Sequence, residues 1–212
     1  KTRNAKKTSK KIRKQGVCVK STRKYSGVFE EGFMTNNLKN MRTYLAGAMD
    51  RVIDGGVGWR NAITPMLQEL SVSVINPCDK PIESAKEGPN TRQIIDYYKQ
   101  TGQFNKIREE YGHIRNADLR CVDVSDFLIA NINVNVHMCG SYEEIATANR
   151  QKKPILVWCE QGKMLAPNWL FFMLPHEHIF SSMDSLLAYL YEVSKCEDTA
   201  KLKRWFFFKE TT

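Results

Sequence analysis

The chain has 212 residues, 42% of them apolar and 10% aromatic, enough for one packed domain with some extra sequence and too apolar for a disordered chain. No apolar run exceeds six residues, far short of the roughly 20 that a spanning helix needs, so an integral membrane protein is excluded. The formal charge of +9 is concentrated at one end: residues 1–24 hold eleven Lys and Arg and no acid, while residues 25–212 carry 21 basic and 23 acidic side chains, a net of −2. The excess charge therefore belongs to a basic arm, expected to contact phosphate polyanions such as nucleic acid with strong salt dependence, and no basic groove through the globular part is implied.

Six cysteines (Cys18, Cys78, Cys121, Cys139, Cys159, Cys196) are scattered without a CxxC pair. That pattern reads as free thiols in a reducing, cytoplasmic compartment and not as a disulfide framework or zinc site. There is no apolar signal-peptide core at the start; the acid-free, Lys/Arg-rich composition overlaps with that of transit peptides, which leaves organelle targeting open.

Along the chain, residues 1–40 are polar, basic and aperiodic and read as an arm. A strand is predicted over 41–46, stopped at Gly47, followed by a turn-rich loop at 54–58. A helix over 59–70 places Ala62, Ile63, Met66, Leu67 and Leu70 at three- and four-residue spacing, with Pro65 marking a kink or a late start. A short β-branched strand over 72–75 ends at Asn76 and Pro77, and 76–90 reads as a long loop with Pro77, Pro81 and Pro89. Helices follow over 92–99 and 104–121, a strand over 126–130, a helix over 141–150, a strand over 154–158, a candidate strand over 178–180 and a helix over 183–191. Residues 193–212 form a basic, aromatic tail. Short apolar strands alternating with helices predict an α/β domain over 41–192, a doubly wound, flavodoxin-like or Rossmann-like five-stranded parallel sheet with helices on both faces. In such folds ligands bind outside the carboxyl ends of the strands, which directs attention to the segments after Ala46, Ile75, Ala130 and Trp158.

Three clusters at those places can carry chemistry. Small residues end the first strand, where Tyr44 is followed by Ala46, Gly47 and, after Ala48, Met49; they let a ligand approach the backbone. Asp118 and Leu119 lie on a helix, and Asp126 opens the third strand. Gly140 and Ser141 then begin a helix that carries Glu143 and Glu144 in what reads as its first turn. Ser141 with Glu144 three residues on fits a capping box; equally, Glu144 could present a carboxylate at the mouth of a site to attack an electrophilic carbon. Spacing leaves both open.

Tyr44 to Met49, Asp118-Leu119, Asp126, Gly140-Ser141 and Glu144 together resemble the nucleoside 2-deoxyribosyltransferase family, including its relatives that hydrolyse nucleoside 5′-monophosphates; Lys153 to Leu156 and Pro167 to Leu170 extend the likeness. The resemblance implies that Glu144 is the nucleophile attacking C1′ of the sugar, that Asp118 protonates or orients the base, and that the Tyr44 hydroxyl holds the nucleophile. It further implies substrate contacts at Ala46, Gly47, Met49, Asp126, Met138, Gly140 and Ser141. Asn168 would reach the sugar of a neighbouring subunit, so a homodimer or larger homo-oligomer is expected. The substrate would be a nucleoside or nucleoside monophosphate, with no metal or organic cofactor. One position departs from the pattern: Met138 stands where the transferases carry an Asp and the monophosphate hydrolases tend to carry Ser. Loss of that carboxylate removes a sugar-hydroxyl acceptor and a repulsion against phosphate, so that Ser141, the helix-start amides and the 54–58 loop could cradle a 5′-phosphate. The alternatives are thus transfer, hydrolysis of a 5′-monophosphate, or a degenerate scaffold that associates with nucleic acid through its arm.

The remaining motifs carry less. His176 and His178 at i, i+2 on a strand would face one side, but no third metal ligand accompanies them. Trp158, Trp169, Leu170, Phe171 and Phe172 read as core and subunit contacts. Residues 201–209 read as a docking tail, because adjacent exposed aromatics would be an association hazard.

Overall fold

The computed structural model describes residues 35–80, 82, 85, 86, 90–202 and 204–209; the basic arm and Cys18 lie outside them. Five strands form one sheet in the order β2-β1-β3-β4-β5, every neighbouring pair parallel: β1 Arg42–Gly47, β2 Ser73–Ile75, β3 Phe127–Ile132, β4 Ile155–Cys159 and β5 Ile179–Phe180. The helices are α1 Val57–Glu69, α2 Thr91–Gln100, α3 Phe104–Val124, α4 Cys139–Arg150, α5 Asn168–Met173 and α6 Met183–Lys195. The flavodoxin-type strand order matches the expected class, with the order reversing between β1 and β3. All six residues of β3 are buried, the two-sided burial that a central parallel strand requires.

Alternation along the strands sorts the core into two layers. Tyr44, Ala46, Leu128, Ala130 and Ile132 face α3, α4 and α5. Leu45, Phe127, Ile129 and Leu156 face α1 and α6. Helix α1 begins well before Pro65, which lies inside it on the exposed side; the carbonyl of Asn61 that loses its hydrogen bond is open to water, so the proline is tolerated there. Its buried stripe runs through Arg60, Ile63 and Leu67, leaving Ala62 and Met66 outside. Among the described residues no helix is long and apolar enough to cross a membrane, and Cys78, Cys121, Cys139, Cys159 and Cys196 are free thiols.

Two segments assigned by sequence to the arm and tail contribute to this body. Leu38 is fully buried, and the Asn37 side chain donates to the carbonyls of Val193 and Cys196 at 3.0 and 2.7 Å. Trp205 is fully buried against Phe127, stacks on Phe208 and donates its indole N–H to the Tyr189 hydroxyl at 2.9 Å. The aromatic tail thus docks on its own domain at Trp205, filling the layer beside α6. His176 and His178 sit in a 3-10 turn and not on a strand: His176 is exposed, whereas His178 is buried, its Nε2 2.9 Å from the Tyr189 hydroxyl.

Candidate active site

The start of α4 packs beside α3, and a cavity of about 490 Å³ opens between them and α2. Apolar and aromatic side chains of α2 and α3 wall it (Ile95, Phe104, Ile107, Tyr111), while Asp118, Gly140 and Glu144 lie at its polar end. A flat aromatic ring system would fit the first set, and the second supplies charge where the ring would be attached.

Helix α4 starts at Cys139 with Met138 as its N-cap and no side-chain cap, so Ser141 is already inside the helix and buried. The capping box expected from Ser141 and Glu144 does not form, and capping no longer accounts for Glu144. Its carboxylate instead accepts a hydrogen bond from the Tyr44 hydroxyl, Oη to Oε1 2.7 Å, across the 100 residues that separate β1 from α4. Tyr44 itself is 0% exposed, so its hydroxyl is held by the sheet beneath it.

The electrostatics of this pair follow from burial. Removal from water raises the Glu144 carboxyl from the usual 4.5 to about 7; the nearby Asp118 adds to the rise, while the Tyr44 hydrogen bond, Arg60 and Lys80 oppose it. Burial, then the neighbouring Glu144 carboxylate, keeps the Tyr44 phenol protonated well above its ordinary range. Asp118 is also pushed up by burial, with Lys80 pulling it back: the Lys80 ammonium, 0% exposed, stands 2.8 Å from Asp118 Oδ1. Arg60, equally buried, donates to the carbonyls of Leu45 (3.1 Å) and Gly47 (2.9 Å) at the end of β1 and of Gly56 (2.8 Å) just before α1. At the mouth Arg115 pairs with Glu143, Nε to Oε2 2.8 Å, which holds the Glu143 carboxyl below its ordinary value. Glu143 and Glu144, adjacent in sequence, therefore differ: one is an exposed salt-bridge partner and the other a carboxyl lodged against a buried phenol.

Of the residues singled out by sequence, Asp118, Gly140 and Glu144 line this cavity, and Tyr44 lies buried behind it, joined through its hydrogen bond to Glu144. Met49 lines an adjoining cavity of about 570 Å³ that shares Thr91 and Ile95 with the first. Ala46 is in the core beneath. Gly47 is small for another reason than ligand approach: a Cβ there would stand 2.8 Å from the Trp59 ring. Met138 is buried in the core, its sulfur accepting from the Asn133 N–H at 3.3 Å, and offers no group to the cavity. Asp126 is at the wrong end of the sheet. It precedes β3 and binds the Arg42 N–H (2.7 Å) and guanidinium at the amino ends of the strands, so it ties β1 to β3 and is no substrate ligand. Asn168 is exposed at the start of α5.

The 54–58 loop does not wait for a phosphate either. The Asp54 carboxylate already accepts from Gly56 N–H (2.9 Å) and Gly58 N–H (2.8 Å), placing an anion of the chain itself on those amides. Sequence reasoning missed Lys80 and Arg60. Arg60 carries a signal in retrospect, three residues before Ile63 and seven before Leu67 on the buried stripe of α1. Lys80 carries none, since it lies between Pro77 and Pro81 in a stretch without periodicity.

No family model matches the chain, and no curated protein does. Solved structures do. The 2-deoxyribosyltransferase of Bacillus psychrosaccharolyticus is 14% identical, over 70% of this chain and 95% of that one, with a TM-score of 0.46. The CMP N-glycosidase BcmB of Clostridium botulinum is 17% identical, over 72% and 98%, with a TM-score of 0.41. A conserved protein of Enterococcus faecalis is 13% identical, over 73% and 99%, with a TM-score of 0.43. The chain is similar in fold to a 2-deoxyribosyltransferase and to a CMP N-glycosidase.

Proposed function

We propose that the protein is an enzyme that cleaves or exchanges the N-glycosidic bond of a nucleoside. The observation that carries this reading is the buried Tyr44–Glu144 hydrogen bond of 2.7 Å, placed with Asp118 at one end of a cavity whose other end is apolar. A structural role for Glu144 would not require a carboxyl raised to about 7, and such groups concentrate where chemistry is done.

In this mechanism the Glu144 carboxylate attacks C1′ of the sugar as the C1′–N bond breaks and its electron pair leaves with the base, through an oxocarbenium-like transition state. The Tyr44 hydroxyl fixes one carboxylate oxygen so that the other faces the sugar. Asp118 orients the departing base. The glycosyl ester on Glu144 is then opened by a second base, giving exchange, or by water, giving hydrolysis. The second reading, a nucleoside 5′-monophosphate as substrate, is favoured by Arg92 and Lys99, which line the adjoining cavity and could meet a phosphate in place of the 54–58 loop.

The direct test is chromatographic: deoxynucleosides and ribonucleosides, free and as 5′-monophosphates, with and without excess of a second free base. Base release is expected, and new nucleoside in the presence of acceptor would establish transfer. No turnover by folded protein would sink the glycosidic reading and favour a scaffold whose function is polyanion binding by residues 1–24.

The same proposal includes a second copy of the chain. Asn168 is followed by Trp169 (69% exposed) and Phe172 (75% exposed), an apolar surface on which a neighbouring subunit would bring Asn168 toward its partner's cavity. Sedimentation velocity is expected to return a dimer or larger species; a monomer at micromolar concentration would remove this part of the proposal.

A further inference from the structure

Lys80 is the least expected member of the site. It stands just after the 3-10 turn Pro77–Asp79 that follows β2, yet it is fully buried. Its ammonium contacts Asp118 Oδ1 at 2.8 Å and donates to the carbonyl of Ala85 at 3.2 Å. A lysine removed from water is costly unless a partner holds its charge, and here the partner is a cavity carboxylate.

The groups facing this lysine come from every element around it. From α3 come Asp118 and the Cys121 thiol and from α4 Glu144; the Tyr44 phenol of β1 and the Arg60 guanidinium of α1 act on the same two carboxyls. The Cys78 thiol lies two residues back in the turn, and Arg115 and Glu143 neutralise each other at the mouth. Tyr44 and Cys121 are both pushed toward their neutral forms by burial. The hydrogen bonds of Arg60 go to carbonyls, so its charge is not consumed by a carboxylate of its own. The pocket then holds two cations, Lys80 and Arg60, and two carboxylates, Asp118 and Glu144. It is neutral only when both carboxylates are ionised and Lys80 is present. Without Lys80, two carboxylates would share one cation that is already bound elsewhere, and a proton would take the missing place.

We propose that Lys80 is the positioning residue of the carboxylate pair: its buried ammonium holds Asp118 ionised and offsets the second negative charge that Glu144 brings to the same pocket. Lys80 does not touch the reacting atoms. It acts through Asp118, keeping that side chain an acceptor that orients the base by one of its N–H groups, and it leaves Glu144 free to lose its proton. The consequence for catalysis rests on the reading of Glu144 as nucleophile; the consequence for protonation does not.

The experiment follows the carboxyl carbons of Glu144 and Asp118 by ¹³C NMR against pH in the full chain, for wild type, Lys80→Met and Lys80→Arg. In wild type Asp118 is expected to titrate below Glu144. In Lys80→Met the Asp118 transition should move up by about 1 to 3 pH units, the effect of removing a cation within contact distance. In Lys80→Arg it should stay near the wild-type position. The pH–rate profile should follow: with an ionised Asp118 needed to orient the base, the acidic limb of Lys80→Met moves up with Asp118, giving a loss of about tenfold or more on that limb that is recovered at higher pH. An Asp118 transition unmoved in Lys80→Met, or a rate loss equal at every pH, would mean that Lys80 only supports the fold. If Lys80→Met does not fold, the wild-type titration decides, and Asp118 titrating above Glu144 overturns the proposal. Wild-type protein inactive on every nucleoside would remove the glycosidic reading while the carboxyl titrations still judged Lys80.

Discussion

Replacing Glu144 by Gln is expected to lower the rate of base release by about 10⁴-fold, the scale on which enzymes lose turnover when a group that acts on the reacting atoms is removed. The substitution isolates the chemistry. Gln keeps the length of the side chain and an oxygen that can accept from the Tyr44 hydroxyl, now 2.7 Å from Glu144 Oε1, so the wall of the cavity is preserved while the nucleophile is lost. Wild-type activity should also report the same carboxyl in its pH profile. A nucleophile must be deprotonated to attack, and burial places the Glu144 carboxyl at about 7, so the rate should rise with pH through that value and level off above it. A sugar ester on the peptide that contains Glu144, seen by mass spectrometry after acid quench, would identify the attacking atom directly. Glu144→Gln protein with a rate near wild type would remove it from the mechanism.

The elements of the fold were legible because their signals are local. Parallel strands buried on both faces must be short and continuously apolar, and the runs at β1, β3 and β4 are so; each lies within two residues of its place in the structure. The meeting of Tyr44, Asp118 and Glu144 was legible only through the resemblance of the motifs, since nothing in the spacing of residues 44, 118 and 144 brings them together until the sheet order is known. What misled was local pattern without tertiary context. Ser141 and Glu144 have capping-box spacing, but the helix starts two residues earlier, at Cys139, and the box dissolves. Asp126 precedes a strand and so belongs to the amino end of a parallel sheet, the end away from ligands; its bond to Arg42 N–H at 2.7 Å is the physical result. Trp205 lies in a basic stretch with no periodicity, and only the gap beside Phe127 and Tyr189 explains its burial. Lys80 is the extreme case, because a buried cation has no pattern of its own and is placed by its counter-ion, 38 residues later in the chain.

The substitution that removes turnover is expected to strengthen the fold, and the pH dependence of that gain is the sharper test of the site. Glu144 is raised in the folded protein from 4.5 to about 7. Between those values the folded state binds more protons than the unfolded state, so stability falls as pH rises through the interval; below 4.5 both states are protonated and above about 7 both are ionised. At about 1.4 kcal/mol per pH unit the full cost has a ceiling of about 3 kcal/mol, lowered by the water that reaches the part of Glu144 facing the cavity. The glutamine introduced by Glu144→Gln has no charge to desolvate. That variant should therefore unfold at higher denaturant than wild type at pH 8, by up to about 3 kcal/mol, and the difference should shrink toward zero near pH 4.5. Lys80 and Arg60 limit the cost in wild type without cancelling it, which is why the carboxyl still sits near neutrality. Urea titrations of both proteins at pH 4.5, 6 and 8 measure the curve. A difference constant across pH would trace the gain to packing and leave the ionisation of Glu144 unperturbed by folding. A difference that opens between pH 4.5 and 8 would mean that the chain carries an ionisable group at a cost in stability, the pattern expected of a functional group and not of one that serves the fold.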